Sequence, residues 1–203
     1  MKKLLLISFL VITGTITSLA QGKLVGGPCE GCEAVFEYGD QNLSSVDTLP
    51  EFGSEGVDIK VTGIVYKADS KTPAEGVILY VYQTNEEGVY PKKGDEKGWA
   101  KRHGYIRNWI KTDSNGRYTF YTQKPMFYGS GPAHIHLTIL EPNGKYYYAQ
   151  DFLFEGDKNL TSRQLKNPTP RGGSNGIISY KMENGILTGK RDIILGKNIP
   201  GYK

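Results

Sequence analysis

The sequence predicts an all-β fold, a β-sandwich of about eight strands with little helix. From residue 57 onward, β-branched and aromatic residues alternate with polar ones, which is typical of half-buried strands. Turn sequences such as Asp-Ser-Asn-Gly at 113–116 and Asn-Gly at 184–185 recur between these runs. Helical periodicity is scarce, and one short helix is expected, around residues 160–165.

The predicted strands follow one another along the chain and are separated by turn sequences. They cover residues 59–66, 77–83, 106–112, 118–122, 132–140, 145–154, 177–182 and 186–195. Residues 84–105 form a long polar connection that contains four glycines. Connections of this length in a compact domain are usually functional or disordered.

Three segments divide the chain. Residues 1–20 are typical of a secretory signal peptide, with Lys2 and Lys3, an uncharged stretch to Thr17, and small residues at Ser18 and Ala20. The stretch is short for a membrane span, which needs about 20 residues, although an anchor that stays is the alternative. Residues 21–56 are expected to be an irregular arm, and residues 57–203 the sandwich domain. The protein is therefore expected to be secreted or periplasmic, with no membrane association after cleavage.

Charge argues against large polyanionic partners. The formal net charge is +4, and removal of the signal peptide would take away two positive charges. The remaining charges alternate in sign, without a basic run or interleaved aromatic residues. Nucleic acid and membrane surfaces are therefore poor candidates as partners.

Cys29 and Cys32 are the two cysteines of the chain and form a C-x-x-C sequence. In an oxidising compartment, a local disulfide is the expected state. A redox pair or half of a metal site is the alternative. A structural zinc site would need a second Cys/His pair at similar spacing, and the sequence has none.

His134 and His136 are two of only three histidines in the chain. On a strand, alternate side chains share a face, so both imidazoles point one way while Ile135 and Leu137 enter the core. Two neutral imidazoles that converge form a natural half of a metal site. Alternatively, the pair lies on a solvated sheet face without a ligand role. His103, in the polar connection, is expected to be a surface residue or to support the site.

Two of the fourteen tyrosines stand apart from the alternating strands. Tyr90 lies in the long connection between Gly88 and Pro91, and Tyr128 precedes the histidine pair. A tyrosine in a β-rich chain is more often a packing residue than a ligand, so position alone does not decide their role.

The sequence around Tyr90 and Tyr128 indicates their role. Residues 112–120 (Thr-Asp-Ser-Asn-Gly-Arg-Tyr-Thr-Phe) lead to Lys124-Pro125, Tyr128 and the Pro-Ala-His-Ile-His of 132–136, and Phe-Glu-Gly-Asp follows at 154–157. This series resembles the intradiol ring-cleavage dioxygenases, the family of protocatechuate 3,4-dioxygenase and catechol 1,2-dioxygenase. The resemblance covers residues 57–157, about half of the chain. It implies a β-sandwich that binds ferric iron, Fe(III), through Tyr90, Tyr128, His134 and His136.

The resemblance also implies an activity. A small aromatic diol and O2 would be the substrates, and the ring would be cleaved between its two hydroxyl-bearing carbons to a cis,cis-muconate without an organic cofactor. Tyr128 would take a proton from the substrate. Phenolate is a hard anionic donor that suits a trivalent cation, and two phenolates leave one positive charge to attract a catechol dianion.

The sequence departs from the family pattern at three places. Gly131 stands where relatives carry an arginine, and Asp151 stands where they tend to carry a glutamine. Arg107, or Arg102, is a candidate to supply the missing cation. The spacing from Tyr128 to His134 is short for the family, which predicts an open pocket that accepts bulkier catechols. The oligomeric state does not follow from the sequence.

Two rival functions come from the same residues. Residues 61–120 also resemble the prealbumin-like sandwiches of secreted proteins, which would make the chain a binding module without catalytic activity. The binding-module hypothesis does not predict the Pro-Ala-His-Ile-His sequence or the tyrosine before it. A zinc hydrolase built on the two histidines is a third reading, for which no paired carboxylate is evident in the sequence.

Overall fold

A computed structural model describes residues 22–203, so the expected signal peptide, 1–20, lies outside the described residues. Strands dominate this part of the chain and form two sheets, which confirms the all-β sandwich. In chain order the strands are β1 Lys23–Leu24, β2 Val46–Thr48, β3 Asp58–Tyr66, β4 Ile78–Gln83, β5 Arg107–Lys111, β6 Arg117–Gln123, β7 His134–Leu140, β8 Lys145–Tyr148, β9 Phe152–Phe154, β10 Ile177–Ile178, β11 Tyr180–Glu183, β12 Ile186–Lys190 and β13 Ile193–Ile194. The helical elements are a 3₁₀ turn, Cys32–Phe36, and two one-turn helices, α1 Ala100–His103 and α2 Ser162–Leu165.

The first sheet has the order β1-β8-β7-β4-β5, with β9 on β7 and β10 on β9. The second has the order β11-β12-β3-β6-β2, with β13 also on β3. Every second residue of β3 is buried, as expected for a strand with one face on the core. Inward side chains of both sheets form the main core, which includes Val61, Phe120, Ile135 and Leu137.

The segment 145–154, predicted as a single strand, is divided into β8 and β9. Both pair with β7, but the regular pairing is interrupted at residues 149–151, opposite the middle of β7, where only Ala149 N–H still donates to the Leu137 carbonyl. Arg191 is buried there and donates from Nη1 to the backbone carbonyls of Gln150, at 2.6 Å, and Asp151, at 3.2 Å. A side chain from another part of the chain thus satisfies carbonyls that the interrupted ladder leaves without strand partners.

The described part of the arm, residues 22–56, packs on both sheets: β2 pairs with β6 of the second sheet, and the segment around the 3₁₀ turn covers the outer face of the first. Its 3₁₀ turn buries Ala34 and Val35 against a second hydrophobic cluster that includes Tyr80 and Trp109. Cys29 and Cys32 form a disulfide at the edge of this cluster, as expected from their spacing. The arm therefore belongs to the packed fold and borders the site described below.

The polar connection, 84–105, contains α1, a turn of helix that the sequence pattern did not predict. Its last residue, His103, is buried, so the surface position considered for His103 is wrong. The predicted short helix near 160–165 is α2, which begins after a Thr161 capping box. Within residues 22–203, no helix combines the length and apolarity needed to cross a membrane.

Candidate metal centre

β7 places His134 and His136 together on the outer face of the first sheet, while Ile135 and Leu137 enter the core. This confirms the alternation predicted from the sequence. The Nε2 atoms of the two histidines lie 3.1 Å apart. Burial and the neighbouring His136 lower the pKa of His134, so its imidazole is neutral near pH 7 and available as a ligand.

The second nitrogen of each imidazole indicates which atom is available to a metal. His134 Nδ1 lies 2.8 Å from the carbonyl oxygen of Pro132, which can only accept, so the proton is on Nδ1. His136 Nδ1 faces a carboxylate oxygen of Asp151 at 3.5 Å, again an acceptor. Both Nε2 atoms therefore carry lone pairs. The two Nε2 atoms lie 3.1 Å apart, so one metal ion could accept both lone pairs.

Tyr90 completes one side of this cluster. Its hydroxyl oxygen lies 2.9 Å from His136 Nε2, although the two residues are 46 positions apart. A backbone hydrogen bond from Tyr105 to Pro91 holds the loop beside the sheet. Burial, with the nearby Tyr128 hydroxyl, raises the pKa of Tyr90. A phenolate at this position therefore requires a cation beside it.

Tyr128 lies at the outer edge of the cluster. Its ring centroid is 5.5 Å from that of Tyr90 and 5.5 Å from that of His134. The side chain is 44% exposed, and it follows a segment tied to the Asn85 loop through Met126. The structure thus brings together all four residues that the sequence assigned to the metal, with Tyr128 nearest to solvent.

The donor set fits a hard trivalent cation. Ligands at about 2.1 Å from a metal and at right angles to each other are about 3 Å apart. The spacings of 2.9 Å from Tyr90 oxygen to His136 Nε2 and 3.1 Å between the two Nε2 atoms match that geometry. Phenolate oxygen and imidazole nitrogen are suitable donors for ferric iron.

Asp151 is the neighbour that sequence reasoning missed. Ligand atoms of His134, His136 and Asp151 all lie within 4.8 Å of one another. The expectation that no carboxylate accompanies the histidines is therefore wrong. Because Asp151 faces Nδ1 of His136, on the far side of the ring from Tyr90, it orients that imidazole. Burial acts to raise the pKa of the Asp151 carboxyl, but the hydrogen bond with His136 outweighs burial, so the pKa lies below its ordinary value. The sequence did give one indication of a special role for Asp151, since it stands where relatives tend to carry a glutamine.

An open cleft of about 650 Å³ adjoins the cluster. Tyr90, Tyr128 and His136 line one wall, and Trp99, His103 and Arg102 line the wall formed by α1. A bare catechol would fill a small part of this volume.

Arg107, the residue proposed for catalysis, has other contacts. Its Nη1 donates to Glu37 Oε2 at 2.7 Å, and its guanidinium lies 5.1 Å from the centre of the Trp109 ring. It does not line the cleft. The arginine that does is Arg102, which pairs with Glu30 of the arm.

A series of stacked aromatic rings begins at His136 and extends to α1. Tyr82 stands opposite His136 in the β4–β7 ladder, and the two rings stack with centroids 4.3 Å apart. His103 stacks on Tyr82 at 3.8 Å, and Trp99 stacks on His103 at 5.4 Å. The stack restrains the orientation of a candidate ligand and links it to α1.

No protein-family model matches the chain. Over 135 residues the chain is 30% identical to the protocatechuate 3,4-dioxygenase beta chain of Burkholderia cepacia, a match that covers 61% of this chain and 56% of that protein. The chain thus spans about half the length of this curated relative. The predicted sequence relationship to the intradiol ring-cleavage dioxygenases is confirmed.

Solved structures share the fold. The dioxygenase domain of a carbohydrate-binding fusion protein from Streptomyces sp. SirexAA-E matches with a TM-score of 0.55 and 22% identity, over 76% of this chain and 90% of that one. An intradiol ring-cleavage dioxygenase from Tetranychus urticae matches with a TM-score of 0.54 and 18% identity, over 86% and 93%. Catechol 1,2-dioxygenase from Acinetobacter sp. ADP1 has a TM-score of 0.55 and 16% identity, over 76% and 57%.

Proposed function

We propose that this protein is an exported non-haem Fe(III) dioxygenase that cleaves a catechol-type ring between its two hydroxyl-bearing carbons with O2. The observation that carries the proposal is the cluster of Tyr90, His134 and His136, whose donor atoms are spaced for one cation. The tautomer assigned to each histidine leaves its Nε2 lone pair available to that cation. Similarity to a protocatechuate 3,4-dioxygenase chain supports the reaction class.

The donor set defines the role of the metal. Tyr90, Tyr128, His134 and His136 would hold the iron, and ferric iron would withdraw electron density from a bound catecholate so that its ring reacts with O2. Asp151 keeps the His136 proton on Nδ1, and Pro132 does the same for His134. The protein thereby fixes both imidazoles as donors through Nε2 before any ligand arrives.

Tyr128 is the group best placed to move a proton. It is more exposed than Tyr90 and lies outside the strands that anchor the histidines. As a phenolate it would accept a proton from a catechol hydroxyl at the mouth of the cleft. Tyr90, held between Tyr82 and the Pro91 backbone, would stay in place.

The first measurement is the visible spectrum and iron content of the mature protein purified without chelator. The expected result is a coloured protein with about one iron per chain, from the four-donor site, whose tyrosinate band shifts when catechol is added. A protein that stays colourless after ferric iron is supplied would contradict the proposal and leave a metal-free binding sandwich.

Replacing Tyr128 with Phe tests its dual role as ligand and proton acceptor. The variant should retain iron through the three remaining donors, lose part of the tyrosinate band and turn over catechol at least 100-fold more slowly, the range of a lost acid–base group. Tyr121→Phe, on the second sheet, is the matched control. An unchanged spectrum in the Tyr128 variant would remove this residue from the site.

Export is the second part of the proposal. Residues 1–20 have the composition of a signal peptide, and a disulfide such as Cys29–Cys32 persists in oxidising compartments. Fractionation of the producing cell with N-terminal sequencing tests this part. The expected mature chain begins at Gln21 outside the cytoplasm, whereas an intact chain retained inside would refute export.

A further inference from the structure

We propose that Arg191 is a positioning residue of the metal centre, which acts on His136 by holding the backbone that carries Asp151. The inference rests on the proposed function, since it names a residue outside the cleft on which the iron site would depend. Arg191 follows β12 in the second sheet, whereas His136 lies on β7 of the first. In the described part of the chain, its side chain donates hydrogen bonds to Gln150, Asp151 and Ser174, and to none of the four candidate ligands.

The burial of Arg191 is unfavourable for the stability of the fold. The residue is 4% exposed, and within residues 22–203 no carboxylate lies within 4 Å of its guanidinium. Its Nη2 is buried and has no hydrogen-bond partner among the same residues. A buried cation without a paired anion costs free energy that a hydrophobic residue at the same position would not. The presence of an arginine here therefore favours a role in the site over a role in stability.

The main chain of Arg191 is held rigidly. Its N–H donates to the Thr62 carbonyl at 2.9 Å, and its own carbonyl accepts from the buried Tyr118 hydroxyl at 2.7 Å. A Cβ at Gly63 would overlap that carbonyl oxygen, so glycine permits the close approach of the two segments. The guanidinium lies over the Phe152 ring, 4.7 Å from its centre. The side chain therefore extends from a fixed point of the second sheet to the first.

The guanidinium takes the place of strand pairing at the interruption between β8 and β9. Its Nη1 donates to the Gln150 carbonyl at 2.6 Å and to the Asp151 carbonyl at 3.2 Å. Its Nε donates to Ser174 Oγ at 2.9 Å, which anchors the same planar group from a second direction. Because the donors of a guanidinium have fixed relative directions, Arg191 restrains the positions of both peptide units.

Asp151 is also confined by the segment around Gly176. A Cβ at Gly176 would overlap the Asp151 carbonyl oxygen, and the Gly176 carbonyl accepts from Leu153 N–H at 2.8 Å. With its main chain held by these contacts, Asp151 keeps a carboxylate oxygen 3.5 Å from His136 Nδ1. Loss of the Arg191 bonds would release the carboxylate from that position. His136 would then lose the acceptor that keeps its Nε2 available to the metal.

A double-mutant cycle between Arg191 and Asp151 tests this route, with iron affinity measured by chelator competition. Arg191→Met keeps an unbranched side chain against Phe152 but removes the charge and all donors. It should lower iron affinity about 5-fold in the wild-type background and less than about 2-fold in Asp151→Ala protein, because no carboxylate remains to be positioned there.

The tyrosinate band provides a readout that a purely structural role would not change. A less firmly oriented His136 donates less electron density to the iron, so the band should move to longer wavelength in Arg191→Met and in Asp151→Ala. The double variant should show no shift beyond that of Asp151→Ala.

Arg171→Met is the matched control. The Arg171 guanidinium also donates to backbone carbonyls, those of Tyr148 at 2.9 Å and Gly26 at 3.1 Å, so its loss should leave the band and the iron affinity unchanged. Arg191→Lys keeps a cation at the same position and replaces Arg191→Met if urea unfolding shows that the methionine variant does not fold. The lysine variant should show a smaller loss of affinity with the same dependence on Asp151.

The outcomes separate this inference from the proposed function. An equal loss of iron affinity in the wild-type and Asp151→Ala backgrounds would show that Arg191 acts without Asp151, which overturns the inference and leaves the function intact. Wild-type affinity in the folded Arg191 variants does the same. A wild type that binds no iron overturns the proposed function itself, and this inference with it.

Discussion

Among single residues, the proposed metal centre depends on the groups that contact its candidate ligands from the side away from the metal. Asp151 holds His136 from the Nδ1 side, and Arg191 holds the backbone that carries Asp151. Asp151→Asn keeps an acceptor but removes the charge that makes His136 a stronger donor. We expect iron affinity to fall about 10-fold and Asp151→Ala to lower it further, within the usual range of 10–100-fold for such partners.

Competition with a chelator, read from the tyrosinate band, measures this affinity. Asp192→Asn is a control, since that carboxylate bonds the Ile64 backbone on the other sheet. Equal chelator sensitivity in the wild type and in both Asp151 variants would show that Asp151 has no part in holding the ligand.

Gly131 offers a test of the missing arginine. Nothing lies within 4 Å of a Cβ built at this position, and its backbone does not require glycine. Gly131→Arg should therefore fold with a stability within about 0.5 kcal/mol of the wild type, as surface substitutions usually do. If a cation beside the histidines assists ring cleavage, kcat for catechol should rise. A kcat that is unchanged or lower, with the same iron content, would show that a cation at position 131 does not assist ring cleavage.

Among the elements, the disulfide turn of the arm packs against α1 and contributes Glu30 to the lining of the cleft. Gly31 lies beside His103, and Glu30 pairs with Arg102 of α1. Replacing Cys29 and Cys32 with Ser should lower the free energy of unfolding by about 2 kcal/mol, from the chain entropy of so short a loop. The double substitution should also raise KM for ring-substituted catechols more than it lowers kcat, because the turn would no longer hold α1 firmly beside the cleft.

Urea unfolding and steady-state kinetics measure the two effects. Wild-type protein treated with a thiol reductant should behave like the double variant. A variant as stable as the wild type, with unaltered KM, would show that the turn keeps its place without the disulfide.

At the scale of the whole molecule, stability should depend on pH through His103. Its folded pKa, about 4, lies below its ordinary value of 6.5, so between these values the unfolded chain binds a proton that the folded protein does not. Stability should therefore fall as pH decreases from about 6.5 to about 4. His134 acts in the same direction, since its pKa is also lowered.

Thermal unfolding of iron-free protein across this pH range measures the effect. His103→Gln should show a shallower fall in Tm than the wild type, because it removes one of the two groups. Parallel pH profiles for the two proteins would contradict a depressed pKa at His103.

Features that depend on neighbours along the chain could be predicted from the sequence. Alternation predicted the strands and the shared face of His134 and His136, and turn sequences placed the ends of most strands. The all-β class followed from the same local preferences. Tyr90 and Tyr128 came from a family resemblance, since a lone tyrosine in a loop carries no local signal of its role.

The meeting of residues that are distant in sequence is set by the tertiary structure. It interrupted the predicted strand 145–154 and so brought Asp151 to His136, buried His103 against Tyr80, and drew Arg107 to Glu37, 70 positions away, instead of into the cleft. A buried polar group takes its partner from whatever packing places beside it, and packing between sheets is not set by neighbours in sequence. The proposed ligands could therefore be named from the sequence, whereas the groups that orient them could not.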